Sequence, residues 1–181
     1  FTHTGFRMQY VVSDTVGVLA MISNGQDNQT DDNSAKGFGG QISWAPTDNV
    51  ALFFNYFGSA ESQTGDTNNT QDLRNFYDVV ADIGLSKNVS LNMNFVYGTE
   101  DNANGRTLDA EWWGFSGIVR YDVNEWFSLN LRGEVFDDKD GFRSGTTQKL
   151  TAFTITPEVR INNNMVVRAE YRHDDSDATL F

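Results

Sequence analysis

The stretch that decides the fold is residues 111–141, EWWGFSGIVRYDVNEWFSLNLRGEVFDDKDG. It predicts two strands joined by a tight turn at 122–126, because apolar and polar side chains alternate with a period of two on both sides of the turn. One face carries Trp113, Phe115, Val119, Tyr121, Phe127, Leu129, Leu131 and Val135. The other face carries small residues, amides and charges: Gly114, Ser116, Arg120, Asp122, Ser128, Asn130, Arg132 and Glu134.

The charged face of this hairpin separates two classes of β protein. A soluble sandwich, for example one that binds carbohydrate, turns a face of each sheet to its core, and every unpaired ion buried there costs several kcal/mol. A membrane barrel turns its apolar face to lipid, places aromatic residues at both interfaces and keeps a polar lumen. Aromatic residues cluster towards the strand ends here, so the hairpin favours the barrel and leaves the sandwich as the weakest alternative.

The same alternation recurs along the chain. It predicts about ten antiparallel strands, at about 5–12, 16–23, 37–45, 50–58, 77–85, 89–98, the two strands of the hairpin, 153–161 and 165–172. The segment 16–23, VGVLAMIS, alternates poorly, so its facing stays open. Short turns at 13–15, 46–49, 87–88 and 162–164 alternate with long polar loops at 24–36, 59–75, 99–110 and 137–148. Short turns on one rim and long loops on the other are typical of outer-membrane barrels, and strands of roughly 9 residues can span a bilayer when tilted.

The fold class predicted is therefore an all-β, antiparallel transmembrane β-barrel in a single domain, residues 1–181. The first predicted strand begins, and the last one ends, on the long-loop rim, whereas bacterial barrels usually begin and end on the short-turn rim. The tail 173–181, HDDSDATLF, shows no alternating terminal strand. We therefore expect the chain to be a segment of a larger barrel of twelve or more strands, with strands missing at both ends.

Composition limits the function classes. The chain has 25 acidic and 13 basic residues and a net charge of -12, which argues against nucleic acid as a partner because there is no basic patch. It has no cysteine and hence no disulfide or cysteine-ligated metal site. No apolar run approaches the roughly 18 residues of a spanning helix. The mean hydropathy of -0.47 is compatible with a barrel, because only alternate residues face lipid.

Three segments carry a family resemblance. Residues 1–10, FTHTGFRMQY, 112–143, WWGFSGIVRYDVNEWFSLNLRGEVFDDKDGFR, and 166–177, VVRAEYRHDDSD, resemble the β-barrel porins of Gram-negative outer membranes. The most specific parts are 132–134 with 138–142, and 168–170 with 172–174. The resemblance implies a porin-like barrel in the bacterial outer membrane, with further strands before and after these segments, and it implies no particular solute.

Charges on the predicted lumen face are the candidate functional residues. They lie on four successive strands and comprise Arg120, Asp122, Arg132, Glu134, Glu158, Arg160, Arg168, Glu170 and Arg172. Opposite charges on neighbouring strands can pair across the sheet. Such a ladder predicts either a charged constriction that selects solutes by sign and size, or a structural network that braces the wall or packs against a plug or an inward-folded loop. The two interpretations are compatible.

Aromatic residues at the strand ends predict an interface girdle rather than a sugar-binding platform. They are Trp44, Tyr56, Tyr77, Tyr97, Trp113, Tyr121, Trp126 and Tyr171.

Loop acids at 27, 31, 32, 66, 72, 101, 137, 138 and 140 predict a solvated acidic rim rather than a cation site, because 138–141, DKDG, lacks the remaining positions of a calcium loop. The only histidines are His3 and His173, and no catalytic constellation is predicted.

These observations predict an outer-membrane barrel that passes small hydrophilic solutes or ions by passive diffusion and has no enzymatic activity, metal or cofactor. The expected partners are outer-membrane lipid, lipopolysaccharide and small solutes, with a second copy of the chain or another envelope protein left open. The alternative is a scaffold barrel with a blocked lumen that binds a partner through its long loops.

Overall fold

A computed structural model describes residues 3–26, 35–60, 72–103 and 108–178. These residues form one antiparallel sheet of eleven strands in which each strand pairs with its neighbour in the chain, except that the last two both pair with β9. The strands are β1 Gly5–Val11, β2 Val16–Ser23, β3 Gly37–Thr47, β4 Val50–Ala60, β5 Leu73–Gly84, β6 Val89–Glu100, β7 Ala110–Asp122, β8 Phe127–Asp138, β9 Gln148–Asn162, β10 Met165–Arg168 and β11 Tyr171–Ser176. In this part of the chain, no helix is long and apolar enough to cross a membrane.

The sheet confirms the predicted fold class, and its strands are longer than predicted at the long-loop rim. β5 begins at Leu73 instead of 77, β6 continues to Glu100, and β9 begins at Gln148 instead of 153. The reason is that backbone pairing continues after the outward side chains have become polar. Hydrophobic alternation, which was the sequence signal, stops where the apolar band stops, so the loops looked longer than they are.

The last predicted strand is interrupted, and the tail after it was wrongly predicted to lack a strand. Residues 173–176 belong to β11 and pair with β9. Arg168 pairs with Glu158 and Tyr171 pairs with Ile155, so β10 and β11 share one register on either side of the interruption. The interruption lies opposite Pro157. Ala169 donates its N–H to the Pro157 carbonyl at 3.2 Å, but proline has no N–H to return the bond.

The sheet is open within the described residues. β1 and the β10–β11 pair form its two edges and do not pair with each other. An open, continuously paired antiparallel sheet is the arrangement expected of part of a larger barrel.

The sheet curves around its polar face. A cavity of about 700 Å³ brings together polar-face side chains of β5 to β8, including Asp82, Asn92, Arg120 and Asn130. On this concave face Thr154 is only 4% exposed, whereas Phe153, which follows the opposite face, is 49% exposed. A soluble sheet shows the reverse burial pattern. The convex apolar face is therefore the one that a lipid environment would cover.

The register settles the facing of β2. Leu19 pairs with Gln41 and Met21 pairs with Gly39, both of which lie on the concave face, while Val18 pairs with Ile42 on the convex face. β2 therefore carries apolar side chains on both faces. This is the reason that its alternation was poor.

The boundary between apolar and polar residues crosses the convex face diagonally. On β3 the last outward apolar residue before the long loop is Phe38, and on β11 it is Tyr171. Following the register from strand to strand, Phe38 lies in the same cross-sheet row as Glu111 of β7, and Tyr171 lies in the same row as Val119 of β7. Between β3 and β11, which are seven strand-to-strand steps apart, the boundary therefore moves along the strands by eight residues, from row 111 to row 119. At ~3.3 Å per residue and ~4.8 Å per strand this corresponds to a strand tilt of about 40°, within the range of transmembrane barrels.

Cysteine labelling tests the assignment of the two faces. Cysteines at Leu91 and Leu131 on the convex face should be shielded from a water-soluble thiol reagent in membranes, because lipid covers them. Cysteines at the adjacent concave positions Asn92 and Asn130 should react. Equal labelling of the two sets would contradict the membrane orientation of the sheet.

A charge substitution tests the same orientation energetically. Leu131 lies near the middle of the apolar part of β8, so Leu131→Arg should reduce the free energy of unfolding in lipid vesicles by roughly 2–4 kcal/mol. Asn130→Arg, one residue away on the concave face, should cost much less because its charge stays in the lumen. The opposite order would show that the faces are exchanged.

Candidate functional site

The concave face collects the predicted lumen charges. Six of them line one pocket of about 250 Å³: Arg120, Arg132, Glu158, Arg168, Glu170 and Arg172. Asp122 and Glu134 bond directly to members of this group. The register puts Arg160 on the same face, beside the bulge between Met165 and Val166. Arg160 makes no ion pair among the described residues.

Glu158 is the centre of an ionic network at the short-turn end of the wall. It accepts hydrogen bonds from Arg120 Nη2 at 3.0 Å and from Arg168 Nε at 2.6 Å, on the two sides of β9. Arg120 also donates to Asp122 at 2.9 Å and to the Ser128 hydroxyl at 2.8 Å. Two arginines and two carboxylates are thereby balanced across four strands, which fixes their side-chain positions through charge-assisted bonds.

Glu134 is the centre of a second network, nearer the long loops. Its carboxylate accepts from Arg132 at 2.5 Å and from Arg172 at 2.6 Å. Arg172 donates from Nε to Asp174 at 2.8 Å, and Asp174 was not among the predicted lumen charges. This network is also balanced in charge. It joins β8 directly to β11 across the concave side of β9.

Glu170 departs from the predicted ladder. It lies in the interruption between β10 and β11, and its carboxylate accepts a hydrogen bond from the Thr156 hydroxyl at 3.2 Å. No arginine pairs with it in the described structure. Its negative charge is therefore not compensated by an arginine, unlike that of Glu158 or Glu134.

A second wall, on β3 to β6, is built from amides and two carboxylates. Gln41 donates to Asn55 at 2.7 Å, Asn55 donates to Asp78 at 2.6 Å, and Asn94 donates to the other oxygen of Asp78 at 2.5 Å. Asp82, on β5 like Asp78, accepts a hydrogen bond from Asn92 at 2.5 Å. Alternation already placed both aspartates on the polar face, so they could have been proposed as lumen residues from the sequence.

A buried ion pair stands at the long-loop end of the concave face. Arg74 Nε lies 2.5 Å from a carboxylate oxygen of Glu100, whose side chain is 0% exposed. Beside this pair, Trp112 packs against Phe76 and stacks on Phe142 with ring centroids 5.4 Å apart. Hydrophobic alternation predicted loops at 74 and 100, so it gave no sign of this pair, because the strands extend beyond the apolar band.

Asp138 organises the loop between β8 and β9. Its carboxylate accepts hydrogen bonds from the backbone N–H groups of Phe142, Arg143 and Ser144, at 2.7–3.0 Å, and from the Ser144 hydroxyl. The loop is thereby turned inward, so that Phe142 stacks on Trp112 and the Arg143 guanidinium lies over the same ring at 5.6 Å. The prediction that Asp138 belongs to a solvated rim is wrong, because its side chain is fully buried.

The other predicted loop acids differ in their surroundings. Asp72 accepts from the Asn102 amide, Asp101 from the Leu73 N–H and Asp140 from the Glu111 N–H, while Asp137 follows the convex face of β8. Positions 27, 31, 32 and 66 lie outside the described residues. Among the described residues, no group of three His, Cys, Asp or Glu side chains could hold a metal ion.

The predicted girdle residues that lie on strands share the convex face, whereas Trp126 lies in the short turn before β8, opposite Arg160. Tyr56, Tyr77, Tyr97 and Trp113 occupy a single row across β4 to β7, near the long loops. The rings of Tyr56 and Tyr77 lie 5.2 Å apart, and those of Tyr77 and Tyr97 lie 6.3 Å apart. Trp44, Tyr121 and Trp126 lie towards the short turns, and Tyr171 ends the apolar part of β11. Their role at a lipid interface stays a prediction.

Polar groups begin immediately beyond the aromatic row. The Tyr97 hydroxyl donates to Glu111 at 2.9 Å, and Lys139 forms an ion pair with the same carboxylate. The hydrogen bond to Glu111 raises the pKa of Lys139 above its ordinary value. The two histidines take no part in these networks: His3 packs on Phe57, and His173 lies on the convex side of β11.

The family model described as "Putative beta-barrel porin-2, OmpL-like" matches residues 1–181. The chain belongs to this family. Membership confirms the resemblance to β-barrel porins and gives the chain a porin-like role in the bacterial outer membrane; porin families are typically not enzymes. Comparisons with curated proteins and with solved structures find no match.

The buried pair at the rim gives a stability prediction. Glu100→Gln keeps the volume of the side chain but leaves the buried Arg74 without its carboxylate, so the free energy of unfolding in vesicles should fall by about 3 kcal/mol. Lys139→Gln, which removes an exposed ion pair at the same rim, should cause little change. Similar losses in the two variants would mean that Arg74 is solvated rather than buried.

Proposed function

We propose that the chain forms the wall of a water-filled outer-membrane channel through which small hydrophilic solutes and ions diffuse passively. The observation that carries this proposal is the state of the arginines in the two concave networks, which are paired with carboxylates and yet remain partly open to solvent. The side chain of Arg168 is 64% exposed, and those of Arg132 and Arg172 are each 42% exposed.

Hydration of these groups supports a wet lumen. Removing eight ionised side chains of two networks from water would carry a large desolvation penalty, which pairing repays only in part. A hydrated wall avoids most of this penalty. It also leaves the charges able to act on passing ions, as rings of charged side chains do in other channels.

One feature of the structure favours the scaffold alternative. The loop between β8 and β9 folds inward, and Phe142, Trp112 and Phe76 form a packed apolar layer at the long-loop end. Such a layer would narrow the lumen at that rim. A lumen blocked there would leave the loops as the exposed surface for an envelope partner. We propose lipid and lipopolysaccharide as the partners of the convex face in either case.

Conductance of the full-length protein in planar lipid bilayers tests the proposal. We expect discrete steps of current that increase with salt concentration. A folded, membrane-inserted protein that gives no conductance would refute the channel and favour the scaffold.

Two glutamates give a matched pair of variants. Glu170→Gln removes a free lumen charge, so it should shift the reversal potential in a salt gradient towards anion selectivity and leave the unfolding midpoint almost unchanged. Glu158→Gln breaks bonds to two arginines, so it should lower the free energy of unfolding by about 1–3 kcal/mol in addition to shifting selectivity. An unchanged reversal potential in both variants would show that this wall does not line the ion path.

A further inference from the structure

Apolar side chains on a concave, water-facing wall need an explanation. β2, β4, β5 and β6 place Leu19, Met21, Phe57, Phe76 and Val96 on that face, in addition to their apolar convex residues. Phe57 and Phe76 are covered by other side chains, but Leu19, Met21 and Val96 remain partly exposed. Apolar surface left in water costs roughly 25 cal/mol per Å², so a wall that only lines a polar channel would not be expected to retain it.

These side chains surround a defined cavity. Its volume is about 400 Å³, and it opens on the concave face between β1 and β6. Leu19, Met21 and Phe57 line it together with Asp78 and its Asn55 partner. A volume of this size suits a small organic molecule rather than a bare ion.

Asp78 is the acidic side chain that lines the cavity. Each of its carboxylate oxygens accepts one amide N–H, from Asn55 and from Asn94, and no cationic group pairs with it in the described structure. A carboxylate offers about four acceptor sites in total, so roughly half remain for a ligand. Arg7 also lines the cavity, from β1. It lies four strands from Asp78, a backbone separation of roughly 19 Å along the sheet at ~4.8 Å per strand, and no hydrogen bond or ion pair joins it to the carboxylate in the described structure.

We propose that this cavity is a subsite for solutes that combine an apolar or aromatic body with a positively charged group. The cation lies against Asp78, and the body packs on Leu19 and Met21, beside Phe57. The subsite rests on the proposed function in one respect, because the solute reaches it through the lumen. It gives the channel a preference by chemical class that the balanced networks on β7 to β11 do not supply.

Binding of benzyltrimethylammonium to the folded, full-length protein in detergent micelles, followed by calorimetry, tests the subsite independently of conductance. Tetramethylammonium lacks the aromatic body, and benzenesulfonate lacks the cation. We expect saturable binding that is tightest for benzyltrimethylammonium. Equal binding of the three probes, or no saturable binding, would overturn the proposal.

Two aspartates on one strand supply the matched control. Asp78→Asn should weaken the binding of benzyltrimethylammonium about fivefold, the size expected when a partly exposed ion pair of ~1 kcal/mol is lost. Asp82→Asn removes the same charge from the same face of β5 outside the cavity, so its effect should stay below about twofold. Equal effects of the two changes would mean that only the overall lumen charge matters, and would overturn the subsite.

A third variant tests the apolar contact, and it also tests the subsite if Asp78→Asn does not fold. Leu19→Ser should weaken benzyltrimethylammonium about threefold, because part of the apolar contact is lost, and leave tetramethylammonium unchanged. An equal loss for both cations would refute the role of the apolar wall. Specific binding without any conductance would support the subsite while refuting the open channel.

Discussion

The structure depends on one constraint: in a hydrocarbon environment, backbone N–H and C=O groups have no water to bond to and must bond to each other. A continuously paired antiparallel sheet satisfies them, and its pleat then gives each strand one face to lipid and one to the lumen. Successive side chains of one strand therefore face lipid and water in alternation. The interruption opposite Pro157 lies at the edge of the sheet, where one missing N–H interrupts the last strand without changing its register.

This coupling explains what the sequence could predict. Wherever lipid and water select opposite side chains, as in β6 to β8, alternation gave both the strand and its facing. It failed in β2, because Leu19 and Met21 make the concave face apolar too, and in β5 and β9, whose rim ends carry polar residues outward. The tilt of the strands can be read only by comparing where the apolar part ends on different strands, which requires their register. It became measurable once the register aligned Phe38 with Glu111 and Tyr171 with Val119.

The candidate site was predictable as a set of residues and not as a set of bonds. Alternation placed the charges on one face, but which carboxylate serves which arginine depends on strand offset, a relation between distant segments that composition and spacing do not contain. Thus Glu158 binds two arginines, while Glu170, in an equally charged neighbourhood, meets only a threonine hydroxyl. The inward turn of the β8–β9 loop was equally hidden, because a carboxylate in an acidic loop gives no sign that three backbone N–H groups surround it.

The concave face has two chemically different walls, and the difference has a physical consequence. On β7 to β11, arginines bonded to carboxylates cancel each other, so their field falls off over a short distance and the network mainly fixes the shape of the wall. On β3 to β6, Asp78 and Asp82 are held by neutral amides, which orient the carboxylates without cancelling their charge. The paired networks therefore contribute mainly rigidity, and uncompensated charge remains on Asp78 and Asp82 of the amide wall and on Arg160 and Glu170 beside the networks. In the channel that we propose, these uncompensated charges would discriminate between solutes more strongly than the paired ones.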